Sequence, residues 1–318
     1  MPPKSPWSEE ARSEEEFRGQ LQAVSNWSRW GADDTLGTLN YVTAPRVRAA
    51  AALVRAGRRV AVGRPLEHGA GRGTEPVLHF MLSTGQDAPE RGQGTVRDWA
   101  CLPLHGPDNT HLDAFAHHSW DGACYGGRPA RSAVTSDGAV SGDVGPAADG
   151  IVSRGVLLDV PRALERDWIP AEHVITPADL EHCEARQAVA VGAGDILLVR
   201  TGRGRSPPGP QPPGAQPPGA RPHTGLDPSA AAWLHDRQVA VLGSDVDSEV
   251  RPARQPFVNS PVHALALVAM GLWLLDNADL EELSDVCAGL GRWEFMCVIA
   301  PLRIRRCTAS PVNPVAIF

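Results

Sequence analysis

Three short apolar-centred runs, at residues 155–160, 194–202 and 239–243, constrain the fold of this chain more than any other feature. A strand buried on both faces reads as a run of this kind, whereas a half-exposed strand alternates. Helix-start signals stand between the runs. Thr176 and Pro177 open a helix over 177–187, and Asp227 or Ser229 caps another that reaches about Arg237. Strands alternating with helices in this way predict an α/β layered fold. At 318 residues the chain is long enough to bury a substantial core, and a single domain over 1–318 is expected.

The remaining segments fit around that frame. Residues 1–25 are charged and predict a surface arm or helix. Residues 26–40 carry glycines, an Asp pair and two tryptophans, which predict a structured loop. Thr43 caps an Ala-rich helix that should run to about Ala56, with Gly57 as its stop. Strands are expected at 59–62, 77–82, 293–300 and 302–304, and residues 83–98 as a loop. Residues 262–270 read as a helix interrupted by Gly271, ahead of the apolar 272–275. The tract 205–222 repeats Gln-Pro-Pro-Gly-Ala in tandem and has no apolar side chains to bury, so a mobile insertion is expected there.

Composition excludes several classes. A formal net charge of −7, with scattered arginines and no lysine run, argues against a nucleic-acid binder. No apolar run reaches the roughly 18 residues that span a bilayer, and the polar N-terminus lacks the apolar core of a signal peptide. A cytoplasmic protein without membrane association is expected. The six cysteines are widely spaced with no C-x-x-C pair, which fits reduced thiols. No glycine-rich phosphate loop and no G-x-S-x-G elbow occurs.

The chemistry concentrates in residues 109–118, Asn-Thr-His-Leu-Asp-Ala-Phe-Ala-His-His. Read as extended chain, His111, Asp113, Phe115 and His117 share one face and His118 lies on the other. Imidazole plus carboxylate is the donor set of a Zn, Mn or Fe site. His105, across Gly106-Pro107, is a candidate third ligand. A bound metal brings the pKa of its water towards roughly 7, and His117 is placed as the proton carrier. Hydrolysis of an amide or ester, or addition and elimination of water, follows from such a set.

These residues resemble the H-x-G-T-H-x-D-x-P-x-H signature of the metal-dependent cyclase superfamily, which includes bacterial kynurenine formamidase and isatin hydrolase. Residues 29–40, 195–202, 225–226, 241–245 and 310–314 resemble further blocks of that group, in order. The resemblance implies a swivelling β/β/α layered fold, with mixed sheets and flanking helices. It implies one or two divalent ions, Zn or Mn, and an arylformamidase-like hydrolase of the tryptophan-catabolic kind. Such an enzyme cleaves the C–N bond of a small aromatic or cyclic substrate by metal-bound hydroxide. The alternatives are a biosynthetic cyclase or dehydratase on the same site, or a non-catalytic binding protein. By the resemblance His111 and Asp113 are ligands and His117 the shuttle. His263 and Asp276 match the His and the Glu position of binuclear members. A 13-residue separation places those two about 140° apart on a continuous helix, at roughly 100° per residue, so Gly271 must redirect the chain. The signature's first His position holds Pro107, its Gly position Asn109 and its Pro position Phe115. Trp120, Tyr125, Phe257 and His79 are candidates for lining a substrate pocket. A homodimer or higher homo-oligomer is expected, as in that superfamily.

Overall fold

The computed structural model describes residues 13–66, 77–107, 109–206 and 222–318. Residues 207–221 of the expected insertion and 1–12 of the expected arm lie outside them. Eleven strands organise the fold: β1 (Arg59–Ala61), β2 (Leu78–Ser83), β3 (Arg97–Cys101), β4 (His111–Asp113), β5 (Ile151–Asp159), β6 (Ile196–Arg200), β7 (Val241–Ser244), β8 (Trp273–Asp276), β9 (Glu294–Ile299), β10 (Ala309–Pro311) and β11 (Val315–Ile317). Nine of them form one sheet in the order β1-β11-β9-β5-β6-β7-β8-β4-β10. The β5, β6, β7 and β8 neighbours are parallel and the outer pairs antiparallel. This is a mixed α/β architecture, as the alternation of runs and helix starts predicts.

Burial explains why those runs are continuous. Every residue of β6 and β7 is buried. In β5 the first half alternates, where it pairs with β9, and the second half is continuously buried, where it pairs with β6. Parallel strands are covered on both faces and leave no polar side. Helices flank the sheet: α1 (Glu14–Ala23), α2 (Ala44–Ala51), α3 (Pro177–Gln187), α4 (Ala230–Asp236) and α5 (Glu281–Leu290). Helix α2 packs on β5 and β9, and α3 on β5. A capping box fixes the start of α3, with Thr176 Oγ1 and the Asp179 carboxylate each meeting the other's backbone N–H.

Several boundaries differ from expectation. Helix α2 stops at Ala51 and does not reach Ala56, because the Ala56 and Gly57 N–H groups donate to the Phe318 carbonyl beside β11. Residues 302–304 form no strand; the Leu302 N–H donates to Ser310 Oγ at 2.8 Å. Helix α5 was not anticipated. The segment after Ser260 begins as one turn of α-helix (Pro261–His263) and continues as π-helix (Ala264–Met270). Gly271 then takes the left-handed conformation, φ 61°, and feeds β8. A side chain at Gly271 would meet the Tyr125 ring at 2.6 Å, so glycine is needed there for both reasons. The chain is thereby redirected between His263 and Asp276, as their spacing requires. The six cysteines are free thiols. No helix among the described residues is long and apolar enough to cross a membrane.

Strands β2 and β3 stand apart as a two-stranded hairpin. Phe80 and Trp99 stack across it with ring centroids 5.7 Å apart, yet they are 53% and 48% exposed. Leu78, Met81 and Leu82 are exposed as well.

Candidate metal centre

Strand β4 lies between β8 and β10, all antiparallel. Alternation turns His111 and Asp113 to one side while Leu112 enters the core. The β4–β8 register sets Asp276 directly opposite His111, so the two share a face. The strand ends at Asp113. A 3₁₀ turn over Phe115–His117 follows, and this changes which residues point together. Phe115 leaves the site for the core, against Tyr125 and Trp273. His117 returns to the site, and His118, expected on the opposite face, lines the same cavity.

His105 reaches this group from the preceding loop. Its Nδ1 is 2.9 Å from Asp113 Oδ1, and its ring stacks on that of His117 at 3.9 Å and 18°. His111 Nε2 is 3.6 Å from Asp113 Oδ1. On the other side of the carboxylate, His117 Nε2 and His263 Nε2 are 3.8 and 3.7 Å from Oδ2. Ligand atoms therefore fall into two groups, His105, His111 and Asp113, and Asp113, His117 and His263, each within 4.8 Å. Asp113 belongs to both. Asp276 Oδ2 sits 3.4 Å from His263 Nε2, outside these groups, and Asp276 Oδ1 accepts from Ser248 Oγ.

Electrostatics follow from burial and from this carboxylate cluster. Burial pushes the Asp113 carboxyl up, but His111 and His117 outweigh it and hold Asp113 well below the usual range. Burial lowers His263 too, yet its contacts with Asp113, Asp276 and Glu249 raise it well above an ordinary imidazole. Asp276 is raised by burial. Burial also takes His117 down to about 4 and His118 to about 3. Near neutral pH, His117 and His118 are therefore neutral bases beside an ionised Asp113.

A divalent cation fits the residues present. Both Asp113 oxygens and His105 Nδ1 are buried without a hydrogen-bond partner among the described residues. Orphaned buried carboxylate oxygens are costly unless something cationic meets them. Other nitrogens are already held: His111 Nδ1 by the Asn109 carbonyl at 3.0 Å, and His263 Nδ1 by Glu249 Oε1 at 2.8 Å. Their Nε2 atoms are left for the site, the arrangement usual for imidazole ligands.

The cavity over these groups is about 220 Å³. Arg203, His223, Asp247, Arg251 and Asn277 also line it. Sequence reasoning assigned none of these, nor Glu249. The signal available was the polar loop 244–249 at the end of a buried strand, where α/β folds place ligand groups. Asp245 in that loop clamps the end of β6 by accepting from the N–H groups of Thr201, Gly202 and Arg203 at 2.8, 2.8 and 3.1 Å. Glu249 is reached only in three dimensions. The backbone at Gly225 approaches it so closely that a Cβ there would lie 1.9 Å from the Glu249 carbonyl.

The aromatic candidates do not line this cavity. Tyr125 is buried in the core and donates to Asp34 at 3.0 Å. Trp120 packs edge-on to Phe17, and Phe257 lies 6.1 Å from the same ring. Trp120 and Phe257 thus pack on α1 through Phe17, and Tyr125 packs beside Gly271 at the end of the π-helical segment. His79 is on the hairpin, paired with Asp98 at 3.0 Å.

A profile of the Cyclase family matches residues 79–248, more than half of the chain. The chain belongs to the Cyclase family. A crystal structure described as a novel cyclase is 30% identical, with a TM-score of 0.83 over 94% of this chain and 99% of the other. Isatin hydrolase A from Labrenzia aggregata, bound to benzyl benzoate, is 18% identical; the match covers 81% of this chain and 93% of that one, with a TM-score of 0.58. A structure from Bacillus stearothermophilus described as a predicted metal-dependent hydrolase is 17% identical, with a TM-score of 0.51 over 81% and 97%. These last two share the fold. A search of curated proteins gives no significant match. Within this fold, the His/Asp cluster has the donor atoms to bind a divalent metal.

Proposed function

We propose that this chain is a metal-dependent amidohydrolase that cleaves the C–N bond of a small aromatic or cyclic amide. The observation that carries the reading is Asp113: a fully buried, ionised carboxylate whose two unpartnered oxygens face two sets of histidines. His105, His111 and Asp113 would hold a Zn or Mn ion. His263 and Asp276, with the other oxygen of Asp113, would hold a further ion in a binuclear form. When bound, such an ion supplies Lewis acidity and acidifies water.

His117 is the proton carrier in this reading. It lies at the cavity wall, is neutral near pH 7, and is stacked on His105. A neutral imidazole takes a proton from the attacking water and returns it to the leaving nitrogen. His118, neutral and on the same wall, would exclude bulk water together with Pro107. The isatin hydrolases among the structural neighbours make a cyclic amide one substrate to try. The 30% identical neighbour, described as a cyclase, supports cyclisation or dehydration on the same site as the second reading.

The test is hydrolysis of formanilide and of isatin by the chain loaded with Zn or Mn, with and without a chelator. Chelator-sensitive release of the aromatic amine or ring-opened acid is the expected result. A metal-loaded chain that cleaves neither substrate would sink the C–N reading and leave the cyclase one.

We also propose that the chain forms a homodimer or higher homo-oligomer. The β2–β3 hairpin supports this, since an isolated hairpin is marginally stable in water and this one exposes Phe80, Met81, Leu82 and Trp99. The double variant Phe80→Ser, Trp99→Ser is expected to shift the mass by light scattering towards the monomer. A wild-type chain already monomeric at tens of micromolar contradicts the proposal.

A further inference from the structure

We infer that His105 serves as a metal ligand through Nδ1, and that Thr308 and Asn109 are the positioning residues that make this possible. The inference rests on the metal-site reading above and goes beyond it, because it says how a histidine at a displaced position completes the donor set. The family signature expects a histidine where this chain has Pro107 and a glycine where it has Asn109. The two departures are linked in space. The Asn109 side-chain amide donates to the carbonyls of Pro103 and Leu104 at 2.9 and 3.1 Å. That pair of bonds folds the loop back on itself just before His105. Asn277 fastens its far side by donating to the Gly106 carbonyl at 3.1 Å. A glycine at 109 has no side chain to make the first clamp.

Thr308 acts on the ring itself. Its Oγ1 lies 2.9 Å from His105 Nε2. The residue is held in turn: its carbonyl accepts from the Ala114 N–H at 3.0 Å, just before β10 pairs with β4. With Nε2 occupied, Nδ1 is the nitrogen turned to the cluster. It sits 2.9 Å from Asp113 Oδ1 but off the line of a ring N–H, so neither atom has a hydrogen-bond partner. Two electron-pair donors that close, without a proton aligned between them, are arranged to share a cation. His111 and His263 do the reverse, since their Nδ1 atoms are held and their Nε2 atoms face the site. The site therefore mixes the two ring nitrogens. Nδ1 lies nearer the backbone than Nε2, which suits a ligand carried on a loop folded tightly against its carboxylate partner.

Two measurements test this on the full chain. Calorimetric titration with Zn²⁺ alone compares wild type, Thr308→Val and Thr308→Ser. Outer-sphere partners of ligating histidines typically govern affinity by about 10–100-fold. Thr308→Val, which keeps the shape and removes the hydroxyl, is expected to bind more weakly by a factor in that range, and Thr308→Ser to bind as wild type does. The ¹⁵N spectrum of the metal-free wild-type protein, with the His105 signals assigned by their loss in His105→Gln, is expected to show the proton on Nε2. A purely structural role for Thr308 moves neither the tautomer nor the difference between serine and valine. Equal Zn²⁺ affinity in Thr308→Val, or a proton on Nδ1, overturns the inference while leaving the metal reading intact. A wild-type chain that takes up no Zn²⁺ overturns both.

Discussion

Asp113→Ala is expected to abolish stoichiometric metal binding and, with it, turnover. The carboxylate is the one donor common to both sets of ligand atoms, with Oδ1 towards His105 and His111 and Oδ2 towards His117 and His263. Loss of an outer-sphere partner alone costs about 10–100-fold in affinity, so loss of this shared donor should exceed 10²-fold. The charge balance points the same way. His263 is held as an imidazolium by Asp113, Asp276 and Glu249, and a metal must compete with that proton for the same carboxylates. Without Asp113 the attraction for a second positive charge falls further. Titration with Zn²⁺ or Mn²⁺ measures the effect, with circular dichroism to show that the variant is folded. The Asp113 carboxylate makes no hydrogen bond to a backbone group, so the fold should tolerate the change. Retention of a full equivalent of metal in the folded variant contradicts the assignment.

His117→Ala is expected to keep the first metal and lose turnover by about 10²–10⁴-fold, the range for removal of a general acid–base group. The ring is in the second set of ligand atoms, so the outcome divides two roles. A variant that holds as much metal as the wild type but does not turn over identifies a proton carrier. A variant that loses an equivalent of metal identifies a ligand. The pH profile carries a second signature. Burial depresses His117 to about 4, so its working neutral form is present above that value and is lost as pH falls through it. A neighbouring cation disfavours the imidazolium and moves the limb further down. The acid limb of kcat/KM due to this group should therefore lie near or below pH 4. A limb at about 6.5, the ordinary histidine value, would show a proton carrier in a different environment from this one.

Much of the fold was legible because a parallel sheet writes its burial directly into sequence. The 196–199 and 241–243 runs are the centres of β6 and β7, and Thr176 caps α3 as expected. The misses share a cause, which is tertiary capture of local pattern. The C-terminal strand took the N–H groups that would have extended α2. The turn after Asp113 ended the alternation, buried Phe115 and brought His118 into the cavity. Within the site, alternation and spacing in the sequence brought His105, His111, Asp113 and His117 forward, the family resemblance added His263 and Asp276, and the fold gathers all six around one cavity. The polar loop after β7 pointed towards Glu249 in general terms only, and nothing in the sequence singled out His223 or Thr308, which reach the site through folding. The aromatic candidates Trp120, Tyr125 and Phe257 lie against Phe17 and Phe115, away from the wall of this cavity.

Metal content tests the central claim most directly. The wild-type chain, equilibrated with Zn²⁺ or Mn²⁺ and dialysed free of excess, is expected to retain at least one equivalent per chain by elemental analysis. A folded wild-type chain that retains none contradicts the assignment of Asp113 and its histidines as a metal centre.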